Sequence, residues 1–112
     1  MRLSTIILPL CDNSGNALPD VHAALQGSLC DIFKGFTATP CKGGWIDPET
    51  GARYFDDSLS YAIACEDSAE VRSKVESIAR LYGHLADQLA VFVTHCNGEV
   101  VFVNSARVPA LV

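Results

Sequence analysis

The sequence predicts an α+β fold of the ferredoxin-like kind: β-α-β-β-α-β with one added C-terminal strand, the sheet antiparallel and both helices on one face. Three observations predict it. Two apolar stripes at helical spacing alternate with runs of strand character. Two hairpin turns stand out, one across Asp47-Pro48-Glu49-Thr50-Gly51 and one at Asn97-Gly98. Finally, 112 residues, 49% hydrophobic and 19% charged, suit one domain with a single core. The domain is expected over 1–104, with 105–112 as a C-terminal tail.

Leu3 to Leu10, with Ile6, Ile7 and Leu8 in a row, has the pattern of a central strand buried on both faces. A processed leader is rejected for this stretch, because its charged part is a single Arg2 and bulky Leu10 stands where cleavage wants a small residue. Asp12-Asn13-Ser14-Gly15-Asn16 is a loop. Pro19 fits a first helical position. Val21, Leu25, Leu29, Ile32 and Phe36 then fall on one stripe, with Gly35 as the expected C-terminal cap.

The second strand begins at Phe36 and passes Pro40, which suits an edge. It enters a hairpin in which Trp45 and Tyr54 are placed to meet across the strands. The return strand runs from Ala52 to Cys65, with a bend or bulge expected at Asp56-Asp57. Asp67-Ser68-Ala69-Glu70 has the form of a capping box for a second helix with Val71, Val75, Ile78, Tyr82 and Leu85 inward. Gly83 is expected to end or kink that helix. Gln88 to Cys96 and Glu99 to Asn104 form the last hairpin, since Asn-Gly supplies the two positive φ angles of a type I′ turn.

That hairpin carries an argument about assembly. Both of its alternating residue sets are apolar, and two helices cover only one side of a sheet. Each large apolar side chain left wet forgoes roughly 1.5–3 kcal/mol. A second copy of the chain is the expected cover, through Phe92, Val101 and Val103, which makes a homodimer the expected state.

Composition narrows function by exclusion. No run approaches the roughly 18 apolar residues of a membrane span. No basic patch interleaved with aromatics is present, so direct nucleic-acid binding is not expected. Five cysteines, odd in number and without a C-x-x-C pair, suit reduced thiols, and the expected location is cytoplasmic. The net charge of −5 lies within 47–76, where eight acids face three bases. A solvated surface explains this; an acidic face toward a basic protein is the sharper alternative.

No constellation for chemistry stands out. His95 and Cys96 are neighbours that diverge in a strand, and His22 and Cys30 are two helical turns apart, so neither pair chelates; His84 with Cys65 stays open. Neither metal nor cofactor is expected, and no catalytic residue is assigned. A Cys with a His elsewhere is met by chance in a chain with five and three of them. The N-terminal proline of tautomerases with a similar plan is absent, since Arg2 follows Met1. Asp56 and Asp57 are candidate titrating groups, with a polar bend as the plainer reading. The ligand- or partner-binding candidates are Trp45, Tyr54, Asp56, Asp57, His84 and Gln88.

With Gly43-Gly44-Trp45-Ile46-Asp47, Gly51, the strand to Cys65 and Gln88 before Val91-Phe92-Val93, residues 36–94 resemble a family of short bacterial proteins with a G-x-W-x-D hairpin and no established activity. The resemblance implies the same fold and no function. Three functional readings follow from the residues. The first is a non-catalytic binding or regulatory module acting through protein or small-ligand contacts. The second is a small cofactor-independent enzyme of the dimeric ferredoxin-like type. The third is a phage- or plasmid-borne inhibitor that sets the acids of 47–76 against a basic, nucleic-acid-handling protein.

Overall fold

In the computed structural model, which describes residues 1–106, the elements follow in the order β1 (Arg2–Pro9), α1 (Pro19–Phe33), β2 (Thr37–Ile46), β3 (Arg53–Cys65), α2 (Ala69–Leu85), β4 (Ala90–Thr94) and β5 (Val100–Asn104). The five strands form one antiparallel sheet in the order β2-β3-β1-β4-β5. This is the ferredoxin-like arrangement extended by one strand at the β4 edge. Residues 107–112, most of the expected tail, lie outside the described residues. Ser105 does not begin a separate tail: its amide donates to Leu89 O and its hydroxyl to Gln88 O.

Register fixes which side chains share a face. Ile6 opposes Tyr61 on one side and Val93 on the other, while Val91 and Val93 oppose Val103 and Val101. All of these point to the helices, and with Leu8, Ile63, Leu25, Leu29, Val75, Ile78, Ala79 and Tyr82 they make the core. Polar groups inside are paired. Pro9 O accepts from His22 Nε2 at 2.8 Å, His22 Nδ1 meets the Tyr61 hydroxyl at 2.6 Å, and the Tyr61 oxygen accepts from Gln26. Ser28 and the carbonyl of Ala24 meet the Tyr82 hydroxyl, which ties the two helices together.

Several sequence expectations change here. On α1 Leu25 and Leu29 are buried and Val21 packs against the core as expected, as does Phe36 beyond the helix; His22 joins them, finding two partners under the helix, while Ile32 is exposed. The α1 cap is Lys34 in the left-handed conformation at φ 69°, its amide donating to Cys30 O; Gly35 follows it. On α2, Ser68 accepts from the Val71 amide as a capping residue should, but Leu85 is exposed. Gly83 neither ends nor kinks α2. A Cβ there would lie 2.3 Å from Val91 Cγ2 and 2.8 Å from Ser105 Oγ, so the glycine lets α2 approach β4. The β2–β3 ladder pairs Gly43 with Asp56 and Lys42 with Asp57 in unbroken register, so the expected bulge is absent. Strand β1 is central as expected, but among the described residues only one of its faces is covered.

Candidate functional site

Among the described residues, no element covers the second side of the sheet. Parity places Leu3, Thr5 and Ile7 of β1, Phe92 and Thr94 of β4, and Val100 and Phe102 of β5 on it. Phe102 is 69% exposed, Leu3 64% and Val100 51%. Phe92 meets Phe102 edge to face at a centroid distance of 5.3 Å. The expected interface trio therefore needs correction. Phe92 lies on this open side, but Val103 is buried in the core and Val101 packs against it, because each opposes a valine of β4 that faces the helices. Phe102 and Val100 take their place beside Phe92.

The β2–β3 hairpin forms an arm. From Lys42 to Phe55 nearly every residue is exposed. Asp47 Oδ1 accepts from the Glu49 amide, and Gly51 at φ 73° closes the loop with its amide on Asp47 O. Trp45 and Tyr54 oppose each other and stack at 4.7 Å, with Trp45 52% exposed. Asp56 and Asp57 alternate across the strand; Asp57 pairs with Lys42 at 3.5 Å in the open, and neither carboxylate is buried.

His84 and Gln88 lie away from that arm, at the end of α2. His84 Nδ1 donates to Ser105 O at 3.2 Å, and Gln88 Nε2 donates to Ala86 O. The six candidates thus do not converge on one pocket. The acids of 47–76 do not make one surface either. Asp47 and Glu49 stand at the tip of the arm, whereas Glu66, Asp67 and Glu70 stand beyond the far end of a 13-residue strand, roughly 40 Å away.

A polar hollow of about 340 Å³ lies on the outer side of α2, lined by Arg72, Glu76 and Arg80 with Ser73 and Ser77, and by Glu99 of the β4–β5 turn. Beneath it His95, 1% exposed, donates from Nε2 to Glu76 Oε2 at 2.8 Å. Its Nδ1 is buried and has no partner among the described residues. His95 shares the parity of Val91 and Val93, which face the helices, but alternation alone does not say which set the helices cover, and nothing in the spacing points to Glu76.

Cys65 is the buried cysteine. Burial pushes the Cys65 thiol up, a hydrogen bond with Ser4 at 3.2 Å offsets part of this, and Ser4 Oγ also accepts the Cys96 amide. Among the described residues no three His, Cys, Asp or Glu side chains gather as a metal site, and no helix is long and apolar enough to cross a membrane.

No protein-family model and no curated protein matches the chain. Two solved structures are similar in fold. A phage SAM lyase in complex with S-methyl-5'-thioadenosine superposes with a TM-score of 0.72 at 12% identity, covering 91% of this chain and 88% of that one. A phage SAM lyase in the apo state gives 0.71 at 15% identity, covering 95% of this chain and 90% of that one.

Proposed function

We propose that the chain is a homo-oligomeric small-ligand protein, a dimer at least, that takes S-adenosylmethionine at the open side of its sheet and cleaves a carbon–sulfur bond to release S-methyl-5'-thioadenosine. The observation that carries this reading is the aromatic and apolar sheet face around Phe92 and Phe102, left wet in a single chain, in a fold otherwise seen with a nucleoside thioether bound.

The chemistry suits such a face. The substrate's own carboxylate closes on the carbon that the sulfur leaves, so that a lactone C–O bond forms as the C–S bond breaks; the bond pair stays on sulfur, the sulfonium becomes a neutral thioether, and neither water nor a proton is consumed. A desolvated aromatic surface disfavours the charged ground state relative to a transition state that is losing its charge. An adenine ring stacks on aromatic side chains. A second copy packed over the face would supply the walls and exclude water. The lack of a titratable residue among those named on this face is therefore compatible with the reaction.

The apolar character of the face also favours a second reading, in which the same ligand is bound for regulation without turnover. An inhibitor with one acidic face draws less support, since the acids of 47–76 divide between two ends of β3, although the phage setting is that of the similar structures.

The test is incubation of the protein with S-adenosylmethionine, with chromatography for S-methyl-5'-thioadenosine and light scattering on the same sample. Release above the buffer rate from an oligomer, lost in Phe92→Asp and Phe102→Asp, is the expected result. Binding without release leaves the regulatory reading, while a monomer that neither binds nor cleaves overturns both.

A further inference from the structure

Glu76 stands four residues from both Arg72 and Arg80, the spacing at which a helix pairs opposite charges. It pairs with neither. Arg72 turns to Asp67, and Glu76 is held instead by buried His95. Among the described residues neither Arg80 nor Glu99 has an ion-pair partner, and both line the hollow. Burying a histidine, with Nδ1 unpartnered, to fix a helix-surface carboxylate is an unusual use of an interior position. It leaves one guanidinium and two carboxylates facing a hollow with serine hydroxyls on its wall.

We propose that this hollow is a second binding site, for a small zwitterion of the α-amino-acid class, with the ligand carboxylate on Arg80 and its ammonium on Glu99 and Glu76. One guanidinium beside two carboxylates disfavours polyanions such as nucleic acid and favours a ligand carrying both signs. A guanidinium fork takes a carboxylate in two parallel hydrogen bonds, and carboxylates accept from an ammonium. The site is on the helix side, opposite the proposed nucleoside face, so it stands or falls independently of the lyase reading.

The experiment is an amide-resolved NMR titration of the full chain with L-methionine, repeated with N-acetyl-L-methionine, which lacks the ammonium, and L-methioninamide, which lacks the carboxylate. Saturable shifts confined to residues 72–80 and 99 at about 1–10 mM are expected. Arg80→Gln and Glu99→Gln, both at the surface, should each weaken binding about tenfold, as should either modified ligand. No saturable shift up to about 50 mM overturns the proposal. So does N-acetyl-L-methionine binding as well as L-methionine, or unchanged affinity in both variants.

Discussion

The two faces of one sheet differ more than any two segments of this chain. On the helix face Ile6, Tyr61, Ile63 and Val93 are fully buried; on the other, Leu3 and Phe102 remain mostly in water although their residue types are as apolar. The difference is one of coverage, not of composition. Strand alternation alone assigns a residue to a face, and only the two helices decide which face becomes a core. An apolar face without a cover is where a ligand or another copy has something to gain.

Substitutions can sharpen that contrast. Ile63→Ala empties a site at the centre of the core and should cost about 2–5 kcal/mol in urea unfolding. Ile7→Ala on the open face should cost under about 1 kcal/mol in dilute protein. Equal losses would mean that the open face is already covered in solution. Two glycines make the next pair. Gly83→Ala drives a methyl into Val91 and should destabilise by about 1–3 kcal/mol. Gly27→Ala meets nothing within 4 Å and should stabilise α1 by up to about 1 kcal/mol. Thermal melts distinguish the two signs directly.

Ser68→Ala removes the acceptor for the Val71 amide and should cost about 1 kcal/mol, with Ser68→Asp retaining most of it. The smallest effect is one of pH. Burial raises the Tyr61 hydroxyl above its ordinary value near 10, so as pH rises the unfolded chain loses that proton first. Stability is intact below that value and falls as pH climbs toward the folded one. Tyr61→Phe should flatten this alkaline slope in denaturation series run from neutral to about pH 11. A slope unchanged in the variant would assign it to other groups.

Much of this was legible in the chain. The Asp47-to-Gly51 loop acts through local backbone chemistry and closes as expected. Asn97-Gly98 does mark the last hairpin, but not as a type I′ turn: of the two only Gly98 has a positive φ, 91°, and its amide donates to His95 O, so the loop spans His95 to Glu99. The α2 cap stands one residue beyond the expected Asp67-to-Glu70 box, at Ser68, which bonds the Val71 amide. The remaining errors are tertiary. Gly83 reads as a helix breaker until Val91 is known to lie against it. His22 reads as a surface residue until Tyr61 and Pro9 come into reach. Val101 and Val103 read as interface because alternation divides a strand into two sets without saying which set the helices take. His95 and Glu76 are 19 residues apart and meet only because α2 packs over β4.

The sequence by itself determined the order of elements, the places of the turns and the need for a buried layer, because these depend on neighbours within a few positions. The tertiary structure decided which apolar set became core, why Gly83 is a glycine, and that His95 holds Glu76 beside Arg80. Those depend on surfaces brought together from distant parts of the chain, and on which side of the sheet two helices came to rest.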